Sequence, residues 1–179
     1  MAKYFNEQNV ARMLDCMSWI KTNIGVDTYP VGGTLLGITR EKDFIEDDYD
    51  IDIAYLSLEH EQDAVLAEFN RIVRAMQDHK LLLKRCAPGQ IHIGPWGSTI
   101  FDLWTSWIDT DGRYHQIFMI DGELTKDEVF PLEMVDFLGH QVPIQSGYRR
   151  LNSLLYGTWE VRDPKFSHDK RRMRYLGPR

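Results

Sequence analysis

An alternation of polar and apolar residues at 49–55, Tyr-Asp-Ile-Asp-Ile-Ala-Tyr, constrains this chain more than any other feature. A period of two predicts a β-strand. Because side chains two apart on a strand point to the same face, Asp50 and Asp52 share one face, while Ile51 and Ile53 point the other way. Two carboxylates this close repel each other and are costly unless a cation or basic groups neutralise them. Oxygen ligands favour a hard divalent cation such as Mg²⁺ or Mn²⁺.

A glycine pair, Gly32 and Gly33, precedes this strand and stands between a short strand candidate and a helical segment at about 34–40. Glycine lets the backbone approach a ligand closely, and free N–H groups at a helix start suit phosphate. Metal-assisted phosphoryl or nucleotidyl transfer needs a phosphate-binding backbone that faces an acidic strand. Two cations at such a site bind the attacking and leaving oxygens. Such a site recruits a third carboxylate, and Asp102 is the best candidate because it interrupts the apolar strand predicted at 99–106.

Composition narrows the class of protein. The 179 residues carry a formal net charge of −6, which makes nucleic acid an improbable partner. No apolar run approaches the length of a membrane span, and the first residues lack the apolar core of a signal peptide. The two cysteines match no disulfide framework or metal spacing and favour a reducing compartment. We therefore expect a soluble, cytoplasmic protein.

The rest of the chain predicts an α+β fold, with a small mixed β-sheet of about five strands flanked by helices. We expect one domain at 1–160 and a basic tail or arm at 161–179. The predicted elements are helices at 6–24, 59–78 and 147–156; strands at 27–31, 49–55, 81–85, 91–93, 99–106 and 114–120; turns at Asp109–Gly112 and at Asp121-Gly122; and a hairpin between 134 and 144 around Gly139.

One block of the sequence resembles the signature of the LicD family. It comprises Gly33-Thr-Leu-Leu-Gly37, Arg40, Phe44-Ile45 and Asp48-Tyr-Asp-Ile-Asp52. That family belongs to the nucleotidyltransferase-fold superfamily and is related to fukutin and fukutin-related protein. Three later segments resemble the downstream blocks of the family and occur in the same order: Val129-Phe-Pro-Leu132, Gly139 with Pro143, and Leu151 to Trp159. The resemblance therefore spans roughly residues 28–160. Departures from the family pattern at Asp43, Asp47 and Tyr49 leave the aspartate pair in place.

The resemblance implies a metal-dependent transferase. LicD-like enzymes move a phosphorylated alcohol, such as phosphocholine or ribitol phosphate, from a CDP-activated donor to a saccharide or glycan. By match, Asp50, Asp52 and Asp102 would be the catalytic residues and would hold Mg²⁺ or Mn²⁺, as two ions. The substrate-binding residues would be Gly32, Gly33, Thr34, Arg40 and Asp48. Arg40 would contact a phosphate, because the N–H groups of its planar guanidinium match the geometry of phosphate oxygens.

Other interpretations of the same residues stay open. Asp48, Asp50 and Asp52 with Glu59 imitate an EF-hand loop, although Ile53 stands where the sharp turn needs glycine. These aspartates could also be a solvent-exposed acidic edge of the protein with no bound metal. Among enzymes, nucleotidyl transfer from an NTP to a small molecule or protein needs the same metal ligands, and a non-catalytic nucleotide-binding relative would keep them too. The histidines are expected to be structural, with His92 the one that could assist proton transfer.

Overall fold

The computed structural model describes residues 5–46, 48–96, 99–117 and 119–163, so Asp47 and most of the predicted basic tail lie outside the described residues. The helices are α1 (Glu7–Ile24), α2 (Gly32–Leu36), α3 (Gln62–Asp78), α4 (Lys126–Val129) and α5 (Tyr148–Tyr156), and a π-helical turn (Gly37–Glu41) continues α2. The strands are β1 (Thr28–Pro30), β2 (Ile51–Leu56), β3 (Leu83–Ala87), β4 (Gln90–Trp96), β5 (Thr99–Ile108), β6 (Arg113–Gln116), β7 (Ile120–Thr125), β8 (Leu132–Phe137) and β9 (His140–Gln145).

The main sheet is mixed. Its central strands run in the order β1-β2-β5-β4-β3, and the long strand β5 also pairs with β6, which pairs with β7. The pairing of β2 with β5 is parallel, and the other pairings are antiparallel. The predicted α+β class with a mixed sheet flanked by helices is confirmed. Because residues 51–56 form a strand inside this sheet, they do not form the loop that an EF-hand needs.

The two long helices cover one face of the sheet. The cap Asn6 accepts a hydrogen bond from the N–H of Gln8 at 2.9 Å, and Gly25 ends α1 with a left-handed φ of 86°. Helix α1 buries its apolar stripe, as the spacing of these residues predicted, and α3 buries a matching stripe of its own. Both stripes pack against the alternate residues of β2 and β5 that point away from the aspartates, which are Ile51, Ile53, Tyr55, Phe101 and Leu103.

The predicted number of strands was too low. In the described residues, seven strands form the main sheet, and β8 and β9 form a separate hairpin. The single strand expected at 114–120 is two strands, because the chain reverses between Gln116 and Met119, where the N–H of Met119 donates to the carbonyl of Gln116 at 3.2 Å. The return strand β7 then pairs back onto β6. Sequence alternation alone does not reveal this reversal, because apolar residues continue through it.

The turn expected at Asp121-Gly122 is also wrong. Both residues lie within β7, opposite a shift of register between Tyr114 and His115 on β6. Gly122 adopts a φ of 84°, and a Cβ there would meet the His115 ring at 3.2 Å. The Asp-Gly pair therefore marks a bulge-like irregularity rather than a chain reversal.

Within the described parts of the chain, no helix combines the length and the apolar character needed to cross a membrane.

The packing of α3 predicts the effect of one core substitution. Phe69 is fully buried between α3 and the sheet, so Phe69→Ala should lower the free energy of unfolding by about 3–5 kcal/mol, as large-to-small core substitutions do. Urea denaturation measures this loss. Leu58→Ala is the control, because its side chain is 80% exposed and its loss should change stability by less than about 0.5 kcal/mol. Equal effects of the two variants would contradict the described core.

Candidate active site

Two neighbouring strands bring the predicted aspartates together. In the parallel pairing of β2 with β5, Asp52 is the register partner of Asp102, and Asp50 immediately precedes β2. Side chains of directly paired residues share one face of a sheet, so the carboxylates of Asp52 and Asp102 lie on the same face. Both are buried, with exposed fractions of 8% and 4%. The fold therefore brings Asp102 to the Asp50 and Asp52 pair, from which it is far apart in the sequence.

The glycine pair lies directly against these carboxylates. The N–H of Gly33 donates a hydrogen bond to Oδ2 of Asp52 at 3.0 Å. A Cβ on Gly32 would stand 2.6 Å from the same oxygen, and a Cβ on Gly33 would stand 2.7 Å from Oδ2 of Asp48. Gly32 also has a φ of 54°, in the left-handed region. A side chain at either position would push a carboxylate aside, and at Gly32 it would also strain the backbone. The amide of Gly33 is engaged by Asp52, so its predicted phosphate contact stays a prediction.

Thr34 is buried behind the aspartates, with an exposed fraction of 2%. Its Oγ1 accepts a hydrogen bond from the N–H of Asp52 at 2.9 Å, and the carbonyl of Asp52 accepts one from the N–H of Val31 at 3.1 Å. These bonds fix the backbone of Asp52 at the start of α2. In this structure Thr34 positions an aspartate, and its predicted contact with donor phosphates stays a prediction.

The carboxylates perturb one another strongly. Burial and the neighbouring charge of Asp50 raise the pKa of Asp48 to about 7. The pKa of Asp52 is raised well above its ordinary value by burial, and then by the charges of Asp50, Asp102 and Asp48. Burial also raises the pKa of Asp102, although the side chains of Trp104 and Gln90 act in the opposite direction. This concentration of negative charge is typical of a site that binds a cation.

One group of side chains has the spacing that a metal ion needs. A ligand atom from each of Asp50, His92 and Asp102 lies within 4.8 Å of the other two. Among the described residues, Oδ1 of Asp102 is buried and has no hydrogen-bond partner, which leaves a lone pair for a cation. Carboxylate and imidazole ligands fit a divalent cation. The residues present therefore fit a divalent metal ion, as expected from the sequence.

The composition of this group differs from the predicted triad. Among the described residues, the mutually close ligand atoms include His92 and do not include Asp52. The reason is that Oδ2 of Asp52 faces the Gly33 amide, whereas His92 is the register partner of Asp102 on the other side, in β4. Asp52 remains electrostatically coupled to Asp50 and Asp102, and its role as a metal ligand stays a prediction.

The downstream block of the sequence packs beside the same site. The buried Asn152 on α5 donates to Oγ1 of Thr39 at 2.9 Å. The guanidinium of Arg40 donates to Glu41 at 2.7 Å and to the carbonyl of Trp159 at 3.4 Å. These contacts tie the turn after Gly37 to the end of α5. The predicted phosphate contact of Arg40 stays a prediction, because in this structure its donors face protein oxygens.

Three further residues lie near the aspartates. The histidines were expected to be structural, with His92 the one that could assist proton transfer, whereas Gln90 was not predicted and Tyr156 was noted only as part of a sequence block. Gln90 donates a hydrogen bond to Oδ2 of Asp102. Burial raises the pKa of Tyr156, and the charges of Asp52 and Asp48 raise it further, while the charge of Arg40 lowers it. Gln90 and His92 did carry a signal, because they alternate with Ile91 and Ile93 and so share the polar face of a strand.

Comparison with known proteins shows which family and which solved structures the chain is similar to. A family model described as LicD/FKTN/FKRP, nucleotidyltransferase domain, matches residues 25–144. None of the curated proteins matches the chain. Solved structures with a similar fold include the lincosamide antibiotic adenylyltransferase LnuA bound to lincomycin, with 13% identity, a TM-score of 0.46 and coverage of 83% of this chain and 85% of that one.

Two further similar structures are longer chains. The CD-NTase CdnG of Bradyrhizobium diazoefficiens in complex with GTP has 16% identity and a TM-score of 0.41, over 81% of this chain and 39% of that one. The E. coli MS115-1 CdnC in its complex with HORMA-deltaN has 15% identity and a TM-score of 0.36, over 62% of this chain and 37% of that one. The chain thus spans less than half the length of these two proteins.

The raised pKa values predict how stability depends on pH. A carboxyl whose pKa is higher in the folded than in the unfolded state makes the folded state bind more protons, so its contribution to stability is lost as pH rises. For Asp48 the stability contribution should be lost as pH rises from its ordinary pKa of 3.8 to its raised pKa of about 7. In EDTA, the melting temperature should therefore fall between pH 5 and pH 8, and Mn²⁺ or Mg²⁺ should restore it most at pH 8.

Asp48→Asn is the matched control for this prediction. It removes the titrating group beside Gly33 and should flatten the fall of the melting temperature with pH. Thermal melts in EDTA at a series of pH values provide the measurement. The same slope in the wild type and in this variant would show that the acidic cluster does not govern the pH dependence.

Proposed function

Because the chain belongs to the LicD/FKTN/FKRP family of nucleotidyltransferase domains, we propose that it transfers a phosphorylated alcohol from a CDP-activated donor to a saccharide or glycan. Phosphocholine and polyol phosphates are the classes of group proposed. The observation that carries the proposal is the meeting of Asp50, Asp52 and Asp102 beside the glycine pair, Gly32 and Gly33, that begins α2. Family membership supports a transferase function, and the cytidine donor and the glycan acceptor come from the family resemblance.

The chemistry of a diphosphate linkage matches the charge of this site. A nucleoside-diphosphate donor is an anion, so it can approach four carboxylates only with cations between them. We propose that Asp50, Asp52 and Asp102 hold two divalent ions, Mg²⁺ or Mn²⁺. When bound, these ions would offset the negative charge that develops on the phosphate oxygens during transfer.

The proposed reaction is an in-line displacement at phosphorus. A hydroxyl oxygen of the acceptor attacks the phosphorus atom that carries the alcohol and forms a new P–O bond. The bond from that phosphorus to the bridging oxygen of the diphosphate breaks, and CMP leaves. The proton of the attacking hydroxyl passes to a carboxylate of the site. The chain contributes mainly by positioning and charge, as is usual for phosphoryl transfer.

The remaining predicted site residues have supporting roles in this proposal. Gly32 and Gly33 leave room between the backbone and the carboxylates, and Thr34 holds the backbone of Asp52. We propose that Arg40 exchanges its present protein partners for a phosphate oxygen of the donor. Asp48 lies next to Gly33, where it would face the substrate. The cytoplasm is the proposed location, supported by the two free cysteines.

The released product tests the proposal directly. With Mn²⁺ or Mg²⁺ and a panel of saccharide acceptors, the chain should release CMP from CDP-choline, CDP-glycerol or CDP-ribitol. Chromatography of nucleotides and a pyrophosphate assay are run in parallel with CTP and ATP. Pyrophosphate release without CMP would replace the proposal by nucleotidyl transfer. A third outcome would instead indicate a non-catalytic nucleotide-binding protein. In that case calorimetry would detect binding of CDP, neither CMP nor pyrophosphate would be released, and Asp52→Asn would change no rate.

Removal of one carboxylate separates catalysis from folding. Asp50→Asn should abolish CMP release, because the site loses a metal ligand. The same variant should leave the metal-free melting temperature unchanged or raised, because the charge of Asp50 opposes ionisation of Asp48 and Asp52. Asp136→Asn makes the same chemical change on the exposed surface of β8 and should leave both properties unaltered. Gross destabilisation of Asp50→Asn without metal would count against this account.

A further inference from the structure

The row of side chains that crosses the sheet places an imidazole next to the aspartates. Asp52 on β2, Asp102 on β5, His92 on β4 and Lys84 on β3 are successive register partners, so all four share one face of the sheet. Nε2 of His92 lies 3.8 Å from Oδ2 of Asp102. This distance leaves space for both atoms to bind one cation, because metal–nitrogen and metal–oxygen bonds are each about 2.0–2.2 Å long.

A second observation points to a ligand at the same place. Asp102 is 4% exposed, and its Oδ1 atom is buried without a hydrogen-bond partner among the described residues. Burial costs this oxygen its hydration, and the hydrogen bond that Gln90 donates to the other oxygen of the same carboxylate offsets only part of that cost. A cation bound by Asp102, Asp50 and His92 would satisfy that oxygen or its neighbour on the same carboxylate.

We propose that His92 is a direct metal ligand and that it gives this site a preference for a first-row transition cation, Mn²⁺ in the test below, over Mg²⁺. The proposal rests on the metal-dependent function proposed above. Mg²⁺ prefers an octahedral shell of oxygen atoms and keeps several waters, whereas imidazole nitrogen binds transition cations well. A site of two carboxylates and one imidazole therefore discriminates between cations that a purely carboxylate site would bind more equally.

Pulsed electron paramagnetic resonance of bound Mn²⁺ tests the proposed ligand without measuring activity. The wild-type protein should bind Mn²⁺ and show the ¹⁴N modulation of a directly coordinated imidazole. His92→Asp should bind Mn²⁺ without that modulation. His140→Asn, which changes a histidine of the separate β8–β9 hairpin, should retain it. The measurement is made with and without CDP, and thermal melts establish that each variant is folded.

Competition between the two cations gives the second readout. Displacement of Mn²⁺ by Mg²⁺ should require less Mg²⁺ in His92→Asp than in the wild type, because the variant exchanges an imidazole ligand for the oxygen ligand that Mg²⁺ prefers. Bound Mn²⁺ without ¹⁴N modulation in the wild type, or modulation that persists in folded His92→Asp, would overturn the inference.

The same experiment separates this inference from the proposed function. No bound Mn²⁺ in the wild type, with or without CDP, would overturn both proposals. Mn²⁺ held by oxygen ligands alone, together with CMP release, would overturn only the role of His92. Mn²⁺ bound through His92, with no CMP released from any donor, would support the metal ligand and overturn the proposed transfer reaction.

Discussion

The parallel pairing of β2 with β5 is the constraint on which the site depends. It places Asp52 beside Asp102, although the two are fifty positions apart in the sequence. Parallel strands need a crossover connection, and here that connection contains α3, whose apolar face packs on the back of the same two strands. A slip of one residue would turn every side chain to the opposite face, so the apolar core on one side holds the carboxylates in place on the other.

Burying several carboxylates together in the site is electrostatically unfavourable, and close backbone and side-chain contacts surround them. Burial and mutual repulsion raise the pKa of Asp48, Asp52 and Asp102, which means that their ionised forms are disfavoured in the absence of a cation. Glycines at 32 and 33 bring backbone within reach of two of these carboxylates. The contact of Asn152 with Thr39 joins the C-terminal helix to this arrangement, so segments from both ends of the described chain support one acidic site.

Local patterns predicted a large part of the fold. The period of α1 and α3 and the alternation of β2 and β5 were confirmed, because in these elements one face is strongly apolar and periodicity reports burial directly. The β6–β7 reversal and the irregular position of Gly122 were missed, because they depend on pairing with a neighbouring strand rather than on local preference. The same limit applies to His92, whose proximity to Asp102 arises from the register of β4 against β5.

By itself, the sequence determined that two carboxylates share one face of a strand, that a glycine pair precedes them, and that the block containing both resembles one family. These are consequences of chain geometry over a few residues, which periodicity of two and the freedom of glycine dictate. The sequence named Asp102 as the third carboxylate, but only the tertiary structure placed it beside Asp52, brought an imidazole among these side chains and turned the Gly33 amide toward Asp52. The physical reason is that strand order and register are set by the burial of the whole apolar core, to which distant segments contribute together.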